Sequence, residues 1–389
     1  MTDTLPKLLY IGDVPVENSY HGSALLYRLL EDYPAGRLMI YECGQHSDPS
    51  RRLVAAEYRH KAYPLTRLRN SRFSRMHASF LVRYISYQAA KTTQAISRFQ
   101  PDAILTVGHG YSWMLADQVA KRLNIPLHFI VHDDVPELIH LHASVKRLYQ
   151  HRFRNAYRDA KSRLCVSPYM VDAYKQRYGA EGAVLYPGRS KQVSEIPYRT
   201  PSNTKNSKLR FAYAGTLNSS GAVQCLNELD SALTCHGVDS EIQLYGPFTE
   251  GQARTSGFSS DRAVFGGLIP AQEIVNRLQE SADVLFLPLS FSGNDRANMK
   301  VHFPSKMTDY TATGLPILVY GPIDASGIMW TRDRIGSTLT ATHRSELPAA
   351  LTALECVEQR TLLGRRAFEI GRQEFDHAVS FRVLRSSLG

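Results

Sequence analysis

The sequence predicts two doubly wound α/β domains in tandem. Short apolar runs alternate with amphipathic stretches of about ten residues, the signature of a parallel sheet covered on both faces. The alternation stops once, at a polar stretch, and then restarts. A length of 389 residues suits two such domains better than one.

In the first half, KLLYIG (7–12), RLMIYEC (37–43), AILTV (103–107), LHFIV (127–131), RLCVS (163–167) and AVLYP (183–187) read as strands. Helical patterns lie between them at 23–33, 113–123 and 146–160. Residues 189–208, RSKQVSEIPYRTPSNTKNSK, are polar, hold two prolines and lack apolar periodicity, so they read as a linker, its core 191–208. Strands then resume at 209–215, 241–246, 263–267, 283–288 and 316–320, with helices at about 221–235 and 271–282. The tail from about 357 reads as helical throughout. The expected division is a domain over 1–190, the linker, a domain over 209–365, and a last helix over 366–389 that returns to the first domain.

The composition, 43% apolar and 21% charged, is that of a globular protein. The longest apolar runs, such as VLFLPL at 284–289, are too short to cross a bilayer. The N-terminal residues lack the basic start and apolar core of a signal peptide, which points to a cytoplasmic protein. Five scattered cysteines form no CxxC pattern, so reduced, buried thiols are expected and neither a disulfide framework nor a structural zinc site. The net charge of +10 is concentrated. Residues 51–100 carry eleven Lys/Arg against the single acid Glu57, a difference equal to the whole formal excess.

Ligands of doubly wound sheets bind beyond the carboxyl ends of the strands, so the residues just after each strand are the candidates. Gly22 precedes a helix and permits close backbone approach there. His109 and His132 follow two strands, and with His21 they could face one cleft. The run His132-Asp133-Asp134 has no partner ligands at useful spacing, and no metal site is expected. Gly215 ends a strand and is followed by a small-residue loop. The stretch PSKMTDYTATGLPIL (304–318) says more. Pro304 and Ser305 are helix-start residues, with Ser305 as N-cap. Lys306 adds a positive charge to that end, as can Lys300 or Arg296 from the loop before it, making a seat for a diphosphate. Asp309 lies one turn deeper on the same face, where it can accept hydrogen bonds from the two hydroxyls of a ribose. Gly314 and Pro316 end the helix.

At these residues the chain resembles the GT-B glycosyltransferases, in particular family 4, most strongly in its second half. The resemblance is carried by YAGTLNSSG (213–221), VFGGLIPAQEIVNRLQESADVLFLP (264–288), PSKMTDYTATGLPIL, which resembles a PSK-x-x-E-Y-x-A-x-G-x-P variant of the donor-site helix, and FIVHDDVPEL (129–138). It implies two Rossmann-like domains, with a nucleotide-sugar donor held by the second and a glycan or lipid-linked acceptor held by the first. Transfer would retain the anomeric configuration, with no metal and no cofactor beyond the donor. It implies Asp309 on the ribose, Gly215, Thr216, Ser305 and nearby amides on the diphosphate, and the backbone at Leu268 on the base. Gly22 would approach the phosphates, and His132 would touch the donor sugar as the catalytic-site residue.

The chain departs from the pattern. Thr216 and Ser220 stand where the family often has arginine and lysine, so Lys300, Lys306 or Arg296 must supply phosphate charge. Val301 falls where the first of two family glutamates, eight positions apart, would contact the transferred sugar. The implied mechanism is attack from the leaving-group face through an oxocarbenium-like state, with domain closure excluding water.

The segment 51–91 interleaves arginines, among them Arg67, Arg69, Arg72 and Arg75, with Tyr, Phe, Leu and Met. With His109 it falls on the acceptor side. It suits a lipid-diphosphate acceptor at the anionic inner face of the plasma membrane, in cell-surface polysaccharide or glycoconjugate synthesis. No nucleic-acid recognition motif accompanies the charge. Two other readings stand beside this one. A nucleotide-sugar epimerase on the same fold needs acid/base carboxylates at the strand ends, where Asp133, Asp134 and Glu137 are the few available. A binding or scaffold protein without activity would fit Thr216, Ser220 and Val301.

Overall fold

In the computed structural model, residues 5–19, 21–69, 71–199, 208–217 and 220–389 are described, apart from the side chains of His21, Ser86 and Ser220. The chain forms two compact units. The first runs to Tyr186 and takes in Ser380–Gly389; the second is Pro187–Val379.

The first unit is built on a seven-stranded parallel sheet in the order β3-β2-β1-β4-β5-β6-β7. Its strands are β1 Leu8–Gly12, β2 Leu38–Glu42, β3 Glu57–His60, β4 Ala103–Val107, β5 Leu127–Val131, β6 Ser162–Cys165 and β7 Ala183–Val184. Every residue of β1, β2, β4 and β5 is buried, which is why these runs are apolar without alternation. The edge strand β3, EYRH, has no fully buried residue. It was not expected as a strand, because nothing in its polar pattern signals one. One face of the sheet packs Leu8, Tyr10, Leu26, Leu30, Ile40 and Leu105, and Leu384 of the last helix joins this core.

The second unit has a six-stranded parallel sheet in the order β10-β9-β8-β11-β12-β13. Its strands are β8 Leu209–Ala214, β9 Ser240–Tyr245, β10 Ala263–Gly267, β11 Val284–Pro288, β12 Ile317–Tyr320 and β13 Leu339–Ala341. The three-residue edge strand β13 also escaped the sequence reading. Both sheets reverse strand order beside their first strand, between β1 and β4 and between β8 and β11, which is the switch point where such folds bind ligands.

The polar stretch 189–208 is not all loose chain. Arg189 and Val193 are buried, Ser190 caps the turn Lys191–Ser194, and Val193 and Ile196 pack with Val275 and Ala312. Residues 200–207 of the expected linker lie outside the described residues. The helical tail is broken at Asp376, whose backbone is extended, between Val357–Phe375 and His377–Leu388. The expectation of uniformly buried thiols is corrected. Cys43, Cys165 and Cys225 are buried, but Cys235 and Cys356 are exposed. Among the described residues no helix is long and apolar enough to cross a membrane.

Candidate functional site

In the second unit, β8 ends in Gly215, and the helix Lys306–Tyr310 comes to meet it. Tyr310 is buried, and its hydroxyl accepts the Ala214 amide at 2.9 Å, fixing the helix to the end of β8. A Cβ on Gly215 would stand 2.2 Å from Lys306 Cε and 2.8 Å from Nζ. Glycine is therefore what lets the lysine lie across the strand end. The ammonium sits 5.4 Å from the centre of the Tyr213 ring. Among the described residues, no carboxylate pairs with it. The Gly215 amide, expected to hold phosphate, instead donates to the Tyr245 carbonyl at 2.8 Å, so it is spent in the sheet. The Thr216 carbonyl accepts the Tyr213 hydroxyl at 2.7 Å. Asn218, Ser219 and the Ser220 side chain lie outside the described residues.

Ser305 is exposed and makes no side-chain cap bond. Its backbone is already helical (φ −56°, ψ −25°), whereas an N-cap needs an extended residue for its oxygen to reach back. The helix is five residues long, so its dipole is small, and Lys306 is the main source of positive charge at this end. Asp309, half-buried, lies within electrostatic reach of the buried Arg189 guanidinium.

The other expected cations are differently engaged. Lys300 Nζ lies 3.0 Å and Arg296 Nη2 3.2 Å from Asp324, beyond the end of β12. Together they hold its carboxyl below the usual range, against the opposing effect of burial. Val301 is buried and so serves packing. Leu268, after Gly267 (φ +69°), is exposed.

In the first unit, Gly22 is the second residue of the helix His21–Leu30, and a Cβ there would meet Val14 Cγ1 at 3.3 Å. The neighbouring strands β4 and β5 bring His109 and His132 to the same sheet end. His109 is exposed and His132 half-buried. Burial draws the His132 imidazole down to about pKa 4, with Asp133 opposing and the nearby charge of His109 assisting. It is therefore neutral at pH 7.

Sequence reasoning missed the residues that fix these turns. Asp13, just after β1, accepts the amides of Tyr111 (2.5 Å) and Ser112 (2.9 Å) and the Tyr63 hydroxyl, locking the turn after His109. A Cβ on Gly110 (φ +60°) would lie 2.2 Å from the Asp13 carboxylate. Asp134 is buried and gripped by both terminal nitrogens of Arg177 (2.7 and 2.8 Å) and by the Tyr174 hydroxyl (3.0 Å). It therefore holds the turn that carries His132. Asp13 is marked in the sequence as a lone acid directly after the first strand, whereas the Arg177 partnership of Asp134 follows only from the fold. Among the described residues no group of three His, Cys, Asp or Glu is gathered as for a metal ion.

Arg67, Arg69, Arg72 and Arg75 are all exposed. The helix Ser74–Tyr84 adds an exposed stripe of Met76, Phe80 and Tyr84 at i, i+4, i+8, flanked by exposed Leu65, Phe73 and Tyr87. Phe80 and Tyr84 stack at 4.9 Å, and Arg72 lies 4.9 Å over Phe73.

Residues 48–190 match the family model described as Glycosyltransferase Family 4. This match falls in the first half, whereas the motifs read from the sequence are densest in the second. No curated sequence matches the chain. The fold is shared over nearly the whole length with solved structures. These include HepE of Anabaena in complex with UDP and glucose (TM-score 0.69, 16% identity, 98% of this chain and 99% of that one). Sucrose-phosphate synthase of Thermosynechococcus elongatus gives TM-score 0.68 at 14% identity, over 97% and 98%. The α,α-trehalose 6-phosphate synthase of Burkholderia multivorans gives 0.68 at 12%, over 99% and 96%. The architecture is GT-B, and the resemblance read from the sequence is borne out.

Proposed function

We propose that the protein is a glycosyltransferase. It takes a sugar from a nucleoside-diphosphate donor seated on the second unit and transfers it, with retention, to a glycan or lipid-diphosphate-linked acceptor on the first. The carrying observation is the Lys306 ammonium, unpaired by any described carboxylate and laid against Gly215, one helical turn from Asp309. A cation that no described carboxylate pairs, at a strand end and three residues from Asp309, suits a diphosphate and the ribose next to it. The complexes of HepE with UDP and UDP-glucose support testing uridine diphosphate first.

The chemistry follows from charge. As the sugar–phosphate bond lengthens, negative charge gathers on the diphosphate and positive charge on the sugar. Lys306 stabilises the first. The neutral imidazole of His132 can hydrogen-bond the sugar without repelling the second, as an imidazolium would. The acceptor hydroxyl attacks from the face the diphosphate leaves, and the departing phosphate takes its proton. Asp13 is no base for this step, because three donors already occupy its carboxylate. The reading assigns leaving-group charge to Lys306 rather than to a metal ion.

The basic, aromatic stripe at 65–87 supports the finer placement, an acceptor drawn from an anionic membrane on its cytoplasmic side, in cell-surface polysaccharide or glycoconjugate synthesis. Each arginine near such a surface adds about 1 kcal/mol. The test is calorimetry with uridine, guanosine and adenosine diphosphates, followed by turnover of the matching nucleotide sugars. Binding of one diphosphate, with Asp309→Ala weakening it at least tenfold, supports the reading. Binding of none overturns it, and conversion of the sugar without an acceptor favours an epimerase.

A further inference from the structure

Arg189 is a fully buried charged side chain in the second unit. It is 1% exposed, in a stretch that reads from sequence as linker. Taking a guanidinium out of water is costly unless its partners repay it, and a well-packed apolar side chain often serves stability as well. Where its nitrogens point is therefore informative. Nη1 donates to Asp376 Oδ1 at 2.7 Å, Nε to the Thr308 carbonyl at 2.9 Å, and Nη2 to Thr311 Oγ1 at 2.8 Å. Two of the three bonds thus go to the residues on either side of Asp309 and Tyr310.

The backbone shows why an arginine is needed there. The Thr311 amide donates four residues back, to Met307, but the Ala312 amide slips to Asp309 and the Thr313 amide to Tyr310. That change from i−4 to i−3 bonding leaves the Thr308 carbonyl without the amide an α-helix would give it. Nε supplies a donor at 2.9 Å in its place, beside a longer bond from the Thr311 hydroxyl at 3.1 Å, so Arg189 helps set where the helix ends and how its last turn is rotated. The neighbouring helix Val357–Phe375 makes room with glycines. A Cβ on Gly371 would lie 2.2 Å from Nη2, and one on Gly364 2.0 Å from the Gly314 carbonyl.

We infer that Arg189 is a positioning residue for the nucleotide site: by holding Thr308 and Thr311, it aims the Asp309 carboxylate at the ribose hydroxyls. The inference rests on the function proposed above and adds a residue to it. The Arg189 charge itself lies within electrostatic reach of Asp309.

The test uses the full chain, the tightest-binding of uridine, guanosine and adenosine diphosphates, and its 2′-deoxy counterpart. Calorimetry gives the ratio of the two affinities within each variant, and thermal unfolding is followed alongside. One charge-assisted hydrogen bond to the 2′-hydroxyl makes the wild-type ratio roughly tenfold or more. Arg189→Met is expected to bring it within about threefold of unity, as Asp309→Asn does. Arg189→Lys is expected to leave it intermediate. Thr311→Val, a near-isosteric change that removes one acceptor, keeps the test open should Arg189→Met fail to fold, and it should also lower the ratio. If the Arg189 variants and Thr311→Val lose stability yet keep the wild-type ratio, Arg189 is only structural and the inference is overturned. If the wild-type protein binds no diphosphate, the proposed function itself fails. If it binds one without ribose preference, Asp309 has no ribose role and the inference falls while the phosphate seat stands.

Discussion

Replacing Lys306 by methionine separates the phosphate seat from the fold. The methionine keeps an unbranched chain against Tyr213 and forfeits no ion pair with a described residue. The stability cost is the cation–π contact at 5.4 Å, about 0.5–1 kcal/mol at a partly exposed site. The binding cost is larger. A hydrogen bond between an ammonium and a phosphate oxygen contributes about 1.5–3 kcal/mol, roughly 10- to 150-fold in affinity. Calorimetry with uridine diphosphate should show that loss, and the unfolding midpoint should barely move. Gly215→Ala supplies an independent route. Its Cβ would fall 2.2 Å from Lys306 Cε, displacing a flexible side-chain end and leaving the charge in the protein. It should weaken binding in the same direction. Diphosphate affinities within twofold of wild type for both variants would refute the reasoning, because neither the charge nor its position would then matter.

Three further outcomes are expected. Serine at Arg67, Arg69, Arg72 and Arg75 together should lower binding to anionic vesicles by about 4 kcal/mol, roughly a thousandfold, with neutral vesicles unaffected; unchanged co-sedimentation would remove the membrane placement. Stability should fall as pH drops from about 6.5 towards 4. Burial holds the imidazoles of His128 and His132 near pKa 4, so the unfolded chain takes up more protons in that window. For the buried His128 this amounts to about 3 kcal/mol, and His128→Asn should flatten the profile of urea midpoints. Equal slopes with and without His128 would contradict the assignment. Gly364→Ala would drive a Cβ to 2.0 Å from the Gly314 carbonyl, backbone against backbone. A loss of about 1–3 kcal/mol in chemical unfolding is expected, and full tolerance would mean the helix moves freely there.

The sheet centres were legible because parallel strands buried on both faces must be apolar along their whole length, as in AILTV and ILVY. The edges were not. EYRH at β3 and LTA at β13 face solvent on one side and carry no pattern that separates them from loop. In the second unit, the meeting of Gly215 with Lys306 could be anticipated as a neighbourhood, since both segments follow adjacent central strands. What each atom does there could not. Sequence cannot show that the Gly215 amide is consumed by Tyr245, or that Ser305 is already helical. Nor could it reveal that Lys300 and Arg296 share Asp324. Arg189 was hidden for a simpler reason: an arginine in a polar stretch looks solvated until its burial is seen.

The most direct measurement is a crystal structure of the protein with uridine diphosphate. The phosphate oxygens should lie within hydrogen-bond distance of Lys306 Nζ, with the ribose hydroxyls on the Asp309 carboxylate. A nucleotide bound elsewhere, with Lys306 still resting on Tyr213 and Asp309 untouched, would contradict the assignment of this site.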